Sequence, residues 1–225
     1  MFDVDWTAAW LAPYRELGAP LHRRILAGQG VAQALGERFV PASALPCGEP
    51  YEAFVARTGQ VPTRDNAHDF FNGLVWLHHP ALKARLNRWH ALTLEVHGVH
   101  GRRGPLRDAA TVFDENGALL EAPPELAAAL VARDWRRLFV TLRPLWREAR
   151  VTVVGHALLE KLCEPRKPHC AHVLLAEPLE AAAFAVKPFH PLPVLGVPGW
   201  WPANEMVDFY EDPAVFRGRR LAQTG

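Results

Sequence analysis

Cysteine is scarce in this 225-residue chain, and so is lysine. The three cysteines, Cys47, Cys163 and Cys170, are odd in number and follow no disulfide spacing, so a reduced, cytoplasmic setting is expected. Only four of the 25 basic residues are Lys and the rest are Arg, a bias that fits genome composition better than function. Charge of one sign is not in excess either. With 25 basic against 24 acidic residues, the chain lacks the global field that favours nucleic acid or an anionic membrane surface. The longest apolar runs, such as LAAALVA from Leu126 to Ala132, fall far short of the ~20 residues of a membrane span. No charged-then-apolar leader opens the chain, so no secretory signal is expected. At 49% hydrophobic and 22% charged residues, disorder and collagen-like repeats are excluded, and the length suits one domain.

Proline, in contrast, is abundant. Many of the 20 prolines cluster from Pro165 to Pro213, where regular structure must be short. Residues 3–28 carry Trp6, Trp10, Leu11, Tyr14, Leu17, Leu21 and Ile25 at helical spacing, and Pro13 and Pro20 divide them into two short helices. Residues 37–50 read as loop around Pro41, Pro46 and Pro50. From Thr63 to His97 the spacing predicts two helices. Thr63 caps the first, Asp65 lies in its first turn, and Pro80 starts the second. AATVFDENGALLEAP reads as a hairpin turning at Asn116-Gly117, because both residues tolerate positive φ. Helix returns over 124–148 with a break at Arg133-Asp134, and ARVTVVG, HALLEKL and AHVLLAE read as strand, helix and strand. This order predicts an α+β fold: a predominantly helical single domain with a small mixed sheet that includes a hairpin near 110–121. The expected division is a helical segment over 1–50 packed on a main domain over 51–217, with a disordered tail over 218–225.

Several segments could carry chemistry. In RDNAHDFFN, residues 64–72, His68 lies one helical turn from Asn72 and next to Asp69. An imidazole beside a carboxylate suits metal ligation or proton transfer, though a solvated polar face has the same spacing. His156 and Glu160 in GHALLEK stand at i, i+4, where two side chains reach one ion from one helical face. A buried imidazole bonded to backbone fits that pair equally well. CEPRKPHCAH holds Cys163, His169, Cys170 and His172, but its spacing matches no structural zinc arm pair. The strip over 100–117 places Arg102, Arg103 and Arg107 around glycines, where guanidinium forks suit phosphate or carboxylate. Asp114 and Glu115 there read as turn chemistry, and Asp108 as the carboxylate of interest. Trp200 and Trp201, between Pro198 and Pro202, form either a stacking wall for a ligand or a strap across the core.

Taken together, RDNAHDFFNGLVWL, RGPLRDAATVFDENGALL, GHALLEKL, AHVLL and LPVLGVPGWWPAN resemble a bacterial family catalogued as domain of unknown function 3025, over about Tyr51 to Arg217. The family carries no assigned activity, so the resemblance supplies positions rather than chemistry. It adds weight to His68, Asp69, His156, Glu160 and His172. Where relatives tend to show Thr-Ala-His, this chain has Cys170-Ala171-His172, which counts against a zinc knot there. Buried imidazoles and carboxylates cost several kcal/mol unless paired or metal-bound, and packing alone rarely demands so many.

The expectation is therefore a cytoplasmic, hydrolase-like enzyme acting on an anionic small molecule. His68, Asp69, Asp108, His156 and Glu160 are the candidate catalytic groups, and Arg64, Asn72, Arg107 and Trp200 the candidate substrate contacts. His68, His156, Glu160 and His172 would hold a divalent metal, Zn, Mn or Mg. A metal-free variant uses His as base oriented by Asp. The rival is a non-catalytic ligand-binding or scaffold domain with structural histidines, and nucleic-acid binding ranks last.

Overall fold

The computed structural model describes residues 2–97, 104–175 and 180–219. The tail over 220–225 and Arg102 and Arg103 of the Gly/Arg loop lie outside the described residues. The chain forms α1 (Arg15–Leu26), α2 (Val31–Leu35), β1 (Phe39–Pro41), α3 (Tyr51–Thr58), β2 (Val61–Thr63), α4 (Ala67–His78), α5 (Pro80–His97) and α6 (Pro105–Asn116). It continues through β3 (Gly117–Glu121), α7 (Pro124–Ala132), β4 (Arg150–Val153), α8 (His156–Lys161), β5 (Cys170–Leu174), α9 (Ala181–Ala185) and β6 (His190–Pro193). This is the α+β, mainly helical architecture that the element order implies. No described helix is long and apolar enough to cross a membrane.

The main sheet is mixed, in the order β4-β3-β5-β6, and β3 runs antiparallel to β4 but parallel to β5. A second, two-stranded sheet joins β1 to β2 in parallel, with Phe39 opposite Val61. The segment over 37–50, expected as loop, therefore supplies a short strand. Its pairing with β2 crosses the boundary expected at residue 50. The N-terminal segment is further tied to the main sheet by the Tyr14 hydroxyl, which donates to the Val153 carbonyl at 2.8 Å. Pro20 does not break its helix. It sits within α1 on an exposed face.

The hairpin expected near 110–121 is not formed. Residues 105–116 are helix α6, opened by Pro105 at its first position, where the missing amide costs nothing. Ala109, Ala110 and Phe113 recur at helical spacing and are fully buried. Thr111, a strand-favouring residue, is accommodated because its hydroxyl donates to the Arg107 carbonyl at 2.9 Å. Asn116-Gly117 is then a helix-to-strand junction. Gly117 has φ −73° and ψ 153°, ordinary extended backbone, so no positive-φ turn exists to close a hairpin. Strand β3 finds its partners far along the chain instead, in β4 and β5.

Candidate functional site

Three helices meet at the site, α4, α6 and α8. Helix α4 opens at Asn66, not Thr63, and the Asn66 side-chain oxygen accepts from the Asp69 amide at 2.8 Å. Asp69 in turn accepts from the Arg64 amide at 2.6 Å and from two guanidinium nitrogens at 3.1 and 2.8 Å. Asp65 faces α2, where it accepts the Val31 amide at 2.7 Å and so caps that helix. Four polar side chains of RDNAHD are thus committed to helix ends. His68 is the one that reaches across to α8.

The His68 imidazole has two partners. Its Nδ1 lies 2.9 Å from Glu160 Oε2, and its Nε2 lies 3.0 Å from His156 Nε2. The two rings meet edge to face with centroids 4.5 Å apart. His156 and Glu160 share one face of α8, four residues apart, which is why both contact the same ring.

Gly155 fixes where His156 begins. The Val154 and Gly155 amides both donate to the Gly117 carbonyl, at 3.0 and 2.8 Å. A Cβ on Gly155 would lie 2.5 Å from Asn116 Cα, so only glycine permits this approach. The crossing brings the last turn of α6 against His156. Asp114 Oδ2 lies 3.6 Å from His156 Nδ1, and Glu115 Oε2 lies 3.8 Å from His156 Nε2. The other Asp114 oxygen accepts from Lys83 Nζ at 2.5 Å, and Lys83 is only 4% exposed.

Electrostatics follow from burial. Burial pushes His156 down to about 4, opposed by the Asp114 carboxylate, so the ring is neutral at pH 7. Burial acts to raise Asp114, but Lys83 and His156 outweigh it and hold the carboxyl below its ordinary value. Glu115 is raised, chiefly by burial. Burial also lowers His90, against the pull of Glu52.

His68, His156, Asp114 and Glu115 line a cleft of about 420 Å³ whose walls include Tyr51, Glu52, Arg64, Asn72 and the apolar Leu45 and Pro62. A chamber of about 50 Å³ shares Tyr51, Glu52 and Asp114 with it and is closed by Trp76, Lys83, Asn87 and His90. A broader groove of about 990 Å³ shares Glu160 with the site and runs past Phe2, Cys163, Arg166 and His169.

The residues singled out in the sequence divide cleanly. His68, His156 and Glu160 converge, and Arg64, Asp69 and Asn72 line the cleft beside them. His172 does not join them. It sits on β5 with its ring 6.1 Å from Phe189. Asp108 pairs with Lys187 near the opposite end of α6 from Asp114, and Arg107 is not part of the cleft wall. Trp200 packs against Trp10, with centroids 6.2 Å apart. Among the described residues, one group of three acidic, Cys or His side chains has ligand atoms within 4.8 Å of one another: His68, Glu115 and His156. The ligand quartet expected from sequence is thus not assembled, and Cys163, His169, Cys170 and His172 form no such group. Glu115, Asp114, Lys83, Tyr51 and Glu52 are site residues that sequence reasoning passed over. Glu115 and Asp114 were hidden inside an apparent turn, and only a helical reading of 105–116 would have put them on one helix end.

The chain is a member of the proteins of unknown function termed DUF3025, whose family model matches residues 37–184 and 175–220. Nothing matches among curated proteins or among solved structures.

Proposed function

We propose that the cleft is the active centre of a hydrolase-like enzyme acting on a small molecule, with a divalent cation assisting. The observation that carries this reading is the Glu160–His68–His156 chain, with contacts of 2.9 and 3.0 Å, opening on the cleft. Glu160 accepts the Nδ1 proton of His68, which leaves Nε2 as the basic nitrogen on the cleft side. With the cation bound, that lone pair would hold the ion that activates the attacking water; without it, the same nitrogen takes the proton itself, a role worth roughly 10²- to 10⁴-fold in rate. Asn72 donates to the Tyr51 hydroxyl at 3.2 Å, so the Tyr51 proton is free to turn toward a substrate oxygen.

Arg64 stays well exposed although Asp69 engages two of its nitrogens, and it can meet an anionic group of the substrate. Glu52, Asp114 and Glu115 line the cleft as acids, so that group belongs beside Arg64 and away from them. We place this chemistry in the cytoplasm on the strength of the three unpaired thiols.

The test is turnover of ester, amide and phosphate substrate panels by the untagged chain, with and without added divalent ion. Once a substrate is found, His68→Ala and Glu160→Gln should each lower kcat by 100-fold or more. Full turnover by His68→Ala would remove His68 from the chemistry, and no turnover by the wild type on any panel, with or without ion, would leave a ligand-binding domain as the better reading.

A further inference from the structure

We infer that His68 Nε2, His156 Nε2 and the Glu115 carboxylate ligate one divalent ion of the zinc class, and that Glu160 and Asp114 brace the two imidazoles from behind. This deepens the hydrolase reading, and it rests on that reading only for what the ion does to water.

His68 Nδ1 faces the Glu160 carboxylate at 2.9 Å, so its proton belongs there and Nε2 presents a lone pair. His156 Nδ1 is buried and has no hydrogen-bond partner among the described residues. The carboxylate it faces is Asp114, with Oδ2 at 3.6 Å. A proton on that nitrogen is favourable, and it leaves a second lone pair at His156 Nε2. Two lone pairs would then oppose each other at 3.0 Å.

The alternative is a proton shared between the two Nε2 atoms. If His156 donates it, a lone pair on buried Nδ1 faces the Asp114 carboxylate. If His68 donates it, the Glu160 contact loses its proton. Charging His156 satisfies both sides but puts an imidazolium on a ring that is 5% exposed. With both rings neutral, a cation between the Nε2 atoms resolves these conflicts. Both outer protons stay on their carboxylates, and both inner lone pairs become ligands. This is the carboxylate–histidine–metal arrangement, in which the outer carboxylate fixes the tautomer and strengthens the ligand.

The third donor sets the metal class. Glu115 Oε2 lies 3.8 Å from His156 Nε2, and the three ligand atoms fall within 4.8 Å of one another. Two imidazoles and one carboxylate, with the remaining side open to the cleft, are the donor set of catalytic zinc. Magnesium and calcium prefer oxygen ligands throughout, so nitrogen donors select against them. Lys83 completes the support, since it holds the Asp114 oxygen that does not face His156.

The experiment uses the full chain, untagged and stripped with chelator, titrated with Zn²⁺ and with Co²⁺ as a spectroscopic stand-in. Mg²⁺ is the comparison ion, and unfolding midpoints are recorded for every variant. One equivalent of Zn²⁺ should bind, and Co²⁺ should show the visible absorption of a low-coordinate nitrogen–oxygen site. His68→Ala should abolish uptake, and Glu115→Gln should weaken it at least tenfold. Asp114→Asn, which touches no ion directly, should weaken it 10- to 100-fold. Wild-type protein that takes up no Zn²⁺, or a folded His68→Ala protein that binds as tightly as wild type, overturns the inference. Turnover that survives chelation overturns the ion's part in the reaction, in the proposed function as well as here, while sparing the hydrolysis itself. Zinc uptake with the expected variant pattern and no turnover supports the site and counts against the enzyme.

Discussion

Two regions of this molecule bury polar groups, and they treat them in opposite ways. In the C-terminal segment, Asn204 is completely buried and closed. Its amide nitrogen donates to the Leu195 and Val197 carbonyls at 2.8 and 2.7 Å, and its oxygen accepts from Arg143 at 3.4 Å. The Tyr210 hydroxyl lies 3.0 Å from the Gly196 carbonyl, and Trp135 Nε1 donates to the Arg217 carbonyl at 2.9 Å. Stacked aromatics, such as Phe139 with Tyr210 at 5.0 Å, fill the space between. Around the cleft, by contrast, His156 Nδ1, His90 Nδ1, Trp76 Nε1 and Asn72 Oδ1 are buried with no hydrogen-bond partner among the described residues. A strap needs its polar atoms satisfied locally because nothing else will satisfy them. Groups left open at one place indicate a ligand, water or ion that completes them.

On this contrast the largest loss of stability belongs to the strap. Asn204→Ala leaves the Leu195 carbonyl without a donor and takes one of two from Val197, which keeps the Trp200 amide. It should cost roughly 3 kcal/mol, since an orphaned buried group costs about 1 to 3 and a lost hydrogen bond about 1. Urea unfolding measures it, and a loss below 1 kcal/mol would erase the distinction. Gly155→Ala should follow at about 2 kcal/mol, because its Cβ would collide with Asn116 backbone that cannot swing away. That variant should also weaken zinc uptake, since it pushes α6 from α8. Lys83→Met should cost about 2 kcal/mol by leaving the Asp114 charge uncompensated. Adding Asp114→Asn should recover much of that loss. A double-mutant cycle with no coupling would show that the pair contributes nothing.

The same contrast explains what could be read in the sequence. The strap was legible in part: Trp-Trp between prolines is rigid and large wherever it lies, but Trp200 also reads as a substrate contact, whereas it packs on Trp10. Both halves of the imidazole pair were legible as short-range spacing, His68 with Asp69 and His156 with Glu160. Their meeting was not, since it depends on a glycine contact between residues 117 and 155 that no local pattern announces. Helix α6 was misread for a local reason. Thr111-Val112-Phe113 favours strand and Asn116-Gly117 favours a turn, yet Ala109, Ala110 and Phe113 find more burial as a helix face. Reading strand there sent Asp114 and Glu115 into a turn and removed two site residues together. His172 failed for the opposite reason. Its neighbours in sequence looked like ligands, but strand β5 carries it to Phe189 instead.

The smallest effect on stability is also the sharpest test of the comparison. His68 has a side chain 31% exposed, caps no helix, and gives its two contacts to Glu160 and His156 alone. Removing it takes away an exposed pairing of modest worth and relieves the proton conflict with His156. His68→Ala should therefore unfold within about 0.5 kcal/mol of wild type in metal-free buffer, as an ordinary surface substitution would. In saturating Zn²⁺ the wild type should gain stability that the variant does not, because an ion that binds only the folded state adds about 2.7 kcal/mol at a hundred times its Kd. A fitting and a ligand differ in this respect: a structural histidine would be missed in both buffers, and a metal-binding one only when the ion is present. Equal losses with and without zinc would make His68 a second Asn204, and the cleft would then differ from the strap in shape alone.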